Sequence, residues 1–308
     1  MAAILAALLP VFLLIVAGFV LRRWLIAEDI QWVGLERLLY YVMFPALLIG
    51  TMAHADLTKV PVIAVGGTLS ASVLLMGLIC LALRGQLAHR FGVDGPAFTS
   101  LFQGATRWQT FVSLALAGNL FGDRGLALAS VAIVAMTPLL NVMSVWVLIH
   151  FASPDKPDWN AVVRAILQNP FIWACAIGAL LNPVSSAIPQ PINAFVDALG
   201  RSSLALGLLI VGAGLRLGEI LRPSTTTLIA CALKLAVMPA IALVAARACG
   251  LSGPSLTVVM CCTAVPTASN AYILARQLGG DAPLMAQIVT VETVLAAITM
   301  PIALGLVG

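Results

Sequence analysis

Charge is what this sequence has least of. Only 9% of its 308 residues are Asp, Glu, Lys or Arg, while hydrophobic types make up 61%. A soluble domain carries about 25% charged and about 45–50% apolar residues. Too few polar side chains are present to coat a water-exposed globule of 32.1 kDa. That excludes an ordinary cytosolic enzyme, a disordered chain and a nucleic-acid reader. Catalytic signatures are missing as well: no H-E-x-x-H, G-x-S-x-G or P-loop occurs. His54, His89 and His150 sit near the ends of apolar runs and do not cluster. The cysteines, Cys80, Cys175, Cys231, Cys249, Cys261 and Cys262, show no C-x-x-C spacing and no histidine nearby. They read as small packing residues, with no metal site and no cofactor. The first apolar run has no basic residue before it and Arg22-Arg23 after it, the reverse of a cleavable signal peptide.

Apolar runs fill the space that charge leaves. They lie near 2–21, 34–53, 60–83, 97–119, 126–150, 162–182, 192–215, 225–247, 254–276 and 284–306. Each has the roughly 20 residues a spanning helix needs. Lipid offers the backbone no partners, so the runs must be helical, and the alternating segments of a barrel are absent. The expected fold is an all-α polytopic membrane protein with ten transmembrane helices. The net charge of +4 is spread over short loops, which is no nucleic-acid footprint. Odd-numbered connections carry Arg22, Arg23, Arg84, Arg90, Lys156, Arg164, Arg216, Arg222 and Arg276; even-numbered ones carry Lys59, Arg124 and Arg247. The excess puts the odd connections in the cytoplasm and both termini outside. Short connections and the lack of N-x-S/T sequons point to a bacterial inner membrane.

The chain repeats itself. Shifted by 158, Gly95-Pro96 falls on Gly253-Pro254, Leu116-Ala117 on Leu274-Ala275 and Gly122-Asp123 on Gly280-Asp281. Lengthened by two, the shift lays Pro10 and Gly18 on Pro170 and Gly178. The reading is two five-helix repeats, 1–152 and 161–308. Five is odd, so the second copy enters from the opposite side. Inverted repeats are a transporter plan, with the site near midplane at discontinuous helices.

Polar residues inside the runs concentrate in the fourth and ninth. Run nine carries Pro266 about halfway, amid Thr263, Thr267, Ser269 and Asn270. Proline removes a donor and frees a carbonyl one turn back. One reading is a kink healed by neighbouring hydroxyls. The other is an unwound crossing whose half-helix ends face a ligand, the N-terminal one suiting an anion. In run four, Trp108 falls on Pro266 under the 158 shift, flanked by Gly104, Arg107, Gln109 and Thr110. A cation at that depth costs about 2.5–3.5 kcal/mol even on the mild insertion scale. Arg107 is either an internal staple to Glu292 or a two-pronged clamp for carboxylate or phosphate. Lys234 and Glu292 are the other deep charges. They can neutralise one another or titrate, which suits proton coupling. Arg107 plus Lys234 minus Glu292 leaves one positive charge, favouring an anionic passenger over a metal cation. The candidate substrate residues are Arg107, Gln109, Thr267, Ser269 and Asn270. Gly104, Trp108 and Pro266 mark the crossing, and Lys234 and Glu292 form the charge network. Asp197 and Arg201 are spaced to pair, Pro45 and Pro138 read as kinks, and Gly212, Gly214 and Gly218 as a packing or dimer surface.

The segments Ala264-Val265-Pro266-Thr267-Ala268-Ser269-Asn270, Leu278-Gly279-Gly280-Asp281 and Val291-Glu292-Thr293 with Met300-Pro301 resemble a bacterial member of the auxin efflux carrier family. Leu9-Pro10, Tyr41 through Pro45, Asn169-Pro170 and Val211-Gly212-Ala213-Gly214 fit the same pattern. The resemblance implies ten helices in two inverted repeats. Helices one, two, six and seven would form a dimerising scaffold, and three to five and eight to ten a mobile unit with four and nine crossing at breaks. It also implies a small organic anion as substrate, such as malate, malonate or an auxin-like acid, moved by elevator-like or rocking alternating access. Plant members carry proline at both crossings. Here run four has none between Ala97 and Asn119, which makes Gly104 the expected weak point. The expectation is thus a secondary carrier of a small organic anion, a homodimer in a lipid bilayer, with H+ or Na+ as a coupling ion. The alternative is a sodium- or proton-coupled cation antiporter or symporter of the same layout, with Glu292 as its ligand.

Overall fold

The computed structural model describes residues 2–55, 61–152, 167–216, 218 and 222–307. Lys59, Lys156 and Arg164, part of the charge asymmetry, and the start of the sixth run lie outside them. Within these residues the chain is helical throughout, with no strand. The helices are α1 (Ala2–Trp24), α2 (Asp29–Leu38), α3 (Phe44–His54), α4 (Val62–Phe91), α5 (Gly95–Thr106) and α6 (Thr110–Phe151). They continue as α7 (Pro170–Leu181), α8 (Gln190–Ala213), α9 (Thr225–Ala232), α10 (Met238–Ala248), α11 (Gly253–Ala264), α12 (Asn270–Gln277) and α13 (Ala282–Gly305). Among the described residues, 8 helical stretches are long and apolar enough to cross a membrane.

Proline shapes these elements. A wide π turn, Leu39–Met43, joins α2 to α3 just before Pro45, and another, Leu233–Val237, joins α9 to α10 just before Pro239. Proline cannot donate to the turn before it, and the wider turn absorbs the lost bond. Pro138 stays inside α6; the one non-helical residue there is Gly122, at φ 57° and ψ −140°. That conformation is open essentially to glycine alone. It makes the abrupt corner at which the fourth apolar run turns into the fifth.

The 158-residue shift is realised in the coordinates. It carries the ends of α5, Gly95 and Thr106, onto the ends of α11, Gly253 and Ala264. It also carries Arg107, at φ −71° and ψ 160°, onto Val265, at φ −69° and ψ 153°. Both helices start on Gly-Pro and stop in extended backbone.

Two groups of helices pack mainly within themselves. α1 lies along α8, and α3 along α7 and α8. α4, α5 and α6 pack on one another and on α9 to α11 and α13. The α1–α8 crossing is set by glycine. A Cβ on Gly18 would lie 2.0 Å from the Leu209 carbonyl oxygen, and one on Gly212 1.8 Å from that of Ile15. Of the glycines expected as a packing or dimer surface, Gly212 packs inside the chain, while Gly214 and Gly218 make no comparable approach among the described residues.

Candidate functional site

Two helices stop in mid-protein and their ends meet. α5 ends at Thr106 and α6 begins at Thr110; α11 ends at Ala264 and α12 begins at Asn270. The linking segments touch directly, with Gln109 N–H donating to the Pro266 carbonyl at 2.8 Å. Thr267 ties the crossing on its other side. Its hydroxyl donates to the Gly104 carbonyl at 2.5 Å, and its N–H donates to Glu292 Oε2 at 2.8 Å. The two broken strands run in opposite directions. Ser100 bonds the Asp281 carbonyl at one end, and Ser113 Oγ bonds Cys262 Sγ on the far side of the Gln109–Pro266 contact. These bonds satisfy backbone groups that a broken helix would otherwise leave orphaned.

Gly104 is not the break. It stays inside α5, where a Cβ would come 2.8 Å from Ile288 Cγ2. Glycine is there for close approach to α13. The chain leaves the helix three residues later, at Arg107, where the partner strand supplies alternative hydrogen bonds.

Arg107 is 8% exposed and carries no ion pair among the described residues. The staple to Glu292 does not form. Its guanidinium donates instead to Ser144 Oγ at 3.3 Å, Asn141 Oδ1 at 3.4 Å and Asn270 Oδ1 at 3.4 Å. All three acceptors are neutral and all three bonds are long. Arg107, Trp108 and Asn270 border a cavity of about 260 Å³, closed on its other side by Tyr40, Asn169 and Phe171. The cavity lies between the two helix groups. α6 and α12 both begin at the crossing, and neither Gln109 nor Ser269 caps its helix with its side chain. Two helix ends of partial positive charge and one guanidinium therefore converge.

Not every residue singled out in the sequence reaches that cavity. Gln109 is buried inside the crossing, and Thr267 and Pro266 hold it together. Ser269 faces a different cavity of about 310 Å³, beside Arg216 and Tyr272. Lys234 and Glu292 are fully buried; Glu292 reaches the crossing from α13, through Thr267. Asn141, Ser144 and Thr137 were not picked out from sequence. They stand at i, i+4 and i+7 along α6, a polar stripe in an apolar helix and a signal that was there to find.

A third cavity, of about 460 Å³, is lined by His54, Asp123, Gln190, Asn193, Asp197 and Arg201. It lies at the start of α8, whereas the Arg107 cavity touches the start of α7. Since α8 follows the far end of α7, the two cavities lie toward opposite faces. Asp197 pairs with Arg201 at 2.7 Å as expected, and Arg201 also reaches Asp123 at 3.5 Å. The cysteines are free, all buried except Cys249, and no group of His, Cys, Asp and Glu among the described residues is set to hold a metal.

Residues 159–304 match the model of a family described as membrane transport protein. Over 307 residues the chain is 22% identical to an uncharacterized transporter of Methanothermobacter thermautotrophicus, covering 96% of this chain and 95% of that one.

Proposed function

We propose, for a chain that belongs to the auxin efflux carrier family of membrane transport proteins, that its passenger is a small organic anion held at Arg107. One observation carries this reading: a buried guanidinium, unpaired with any carboxylate among the described residues, at the edge of a cavity. Leaving a cation there is costly unless a charged partner arrives. A carboxylate can exchange the long bonds to neutral oxygens for a two-pronged contact. Asn270, Asn141 and the starts of α6 and α12 supply further donors. About 260 Å³ suits a molecule of a few carbons, such as malate or malonate. Gln109 and Thr267 shape the site from behind, and Ser269, which faces the cavity beside Arg216, stands outside it.

The matching α5 and α11, and the opposite directions of the crossing strands, support ten spans in two inverted five-helix repeats. On this reading Gly122 separates spans four and five. The packing supports a scaffold of α1 to α3, α7 and α8, and a mobile unit of α4 to α6 and α9 to α13. The mobile unit carries the crossing between membrane faces by alternating access, in a bacterial inner membrane with both termini outside. The resemblance adds pairing into a homodimer through the scaffold.

Reconstituted protein should accumulate a radiolabelled dicarboxylate. Arg107→Ala should reduce uptake to the level of empty vesicles while the purified variant still elutes as a folded, monodisperse species. Wild-type uptake by that variant would remove Arg107 from the site.

A further inference from the structure

Behind the crossing, on the side away from the Arg107 cavity, lies a charge pair that the anion site does not use. Glu292 is 0% exposed. One of its oxygens accepts from Thr267 N–H at 2.8 Å, and the other, Oε1, has no hydrogen-bond partner among the described residues. A lone carboxylate so placed would draw a cation out of solution. Oxygen donors on a broken helix are what an alkali ion would take. A cation is already there, and it is covalently attached. Lys234 is also 0% exposed, and its Nζ makes no hydrogen bond among the described residues. It is carried by the π turn Leu233–Val237, which packs against α5, α11 and α13. The ammonium and the carboxylate interact electrostatically without closing to ion-pair distance. The other titratable groups facing them are Cys231, toward Glu292, and Cys262, toward Lys234, the latter engaged by Ser113.

We propose that the space behind the crossing is a monovalent-cation site that the chain fills with the Lys234 ammonium, so that no free sodium ion is taken up there. The pair is neutral as it stands. A further cation would enter a dry region next to a fixed positive charge, where repulsion is many times stronger than in water. The ammonium thus faces the carboxylate that holds Thr267, and through Thr267 the crossing, without an exchangeable ion. Lys234 is a positioning residue. The inference rests on the transporter reading for its meaning, but not for its test, which needs no passenger.

The test is thermal melting of the purified protein in choline, sodium, potassium and methylammonium chloride at one ionic strength. Wild type should melt at the same temperature in all four. Lys234→Ala should melt lower in choline and recover by about 5 °C in sodium or methylammonium chloride, as a free cation takes the vacated place. Stabilisation of wild type by sodium alone, lost in Glu292→Gln, would overturn the proposal. So would a Lys234→Ala protein that melts alike in all four salts. Should that variant not survive purification, the Lys234→Met, Glu292→Gln double variant decides. Recovery of a folded protein indifferent to all four salts supports the proposal, and failure to recover overturns it. A wrong assignment of the passenger leaves every one of these melts unchanged.

Discussion

Arg107 and Val265 occupy equivalent places in the two crossing strands, with nearly the same backbone angles. The backbone therefore does not explain the charge. Any residue tolerates that extended conformation, and an apolar one serves in the second copy. The first copy keeps a guanidinium against an insertion cost of about 2.5–3.5 kcal/mol, so its use must lie in what it meets. If that is a carboxylate, shape matters as well as charge. Lysine brings the charge without the fork. In calorimetric titration with the transported acid, Arg107→Lys should weaken binding by about 10-fold and Arg107→Ala by about 100-fold, the range of one to two lost charged hydrogen bonds. Equal affinities for the two variants would mean that the fork contributes nothing. Arg107 was legible in the sequence because a charge stands out in an apolar run. Asn141 and Ser144, which hold its guanidinium, show only as a stripe with Thr137, weaker than a charge because a single Ser or Asn in a spanning helix more often bonds its own backbone, as Ser130 does with the Leu126 carbonyl.

Breaks and close approaches belong to elements, and here they have different origins. The break in α11–α12 is written in Pro266. The break in α5–α6 is not written locally: no proline is present and Gly104 remains helical. It exists because the partner strand offers hydrogen bonds at the place where α5 gives up its own, a tertiary cause that periodicity cannot reveal. Thr267→Val removes the hydroxyl that satisfies the buried Gly104 carbonyl, at a cost of about 1–3 kcal/mol. Its melting temperature should fall by roughly 2–10 °C, with Arg107 intact but transport slowed. An unchanged melt would show that α5 ends there for another reason. The α1–α8 crossing behaves differently, because its constraint is volume. Gly212→Ala would place a methyl 1.8 Å from a backbone oxygen, which no rotamer can relieve. The helices must part, and overpacking of this kind costs about 1–3 kcal/mol. Scanning calorimetry should show that loss for Gly212→Ala and little change for Gly34→Ala, where no atom lies within 4 Å of the added methyl.

At the scale of the whole molecule, the apolar runs carried most of the helical architecture, because lipid leaves an apolar run no alternative to a helix. The cavities escaped that reading, since each is built from side chains far apart in sequence. The Arg107 cavity and the one around Arg201 lie toward opposite faces, and the Arg107 cavity lies between the two helix groups. A carrier that exposes one site alternately must move one group past the other. Contacts that bridge the groups must then break in each cycle. Arg201 on α8 and Asp123, beside the Gly122 corner of α6, make such a contact at 3.5 Å. Both side chains are mostly exposed, 64% and 81%, so the pair adds little stability, and its removal alone should hardly slow transport. Tying the two places together should stop it. With the native cysteines replaced, Asp123→Cys and Arg201→Cys joined by a short bismaleimide should abolish uptake, while each single variant treated the same way keeps it. The crosslinked protein should still be stabilised against heat by the passenger, because Arg107 and Asn270 are untouched. Full uptake after crosslinking would mean that α6 and α8 travel together, and the line between fixed and moving helices would have to be drawn elsewhere.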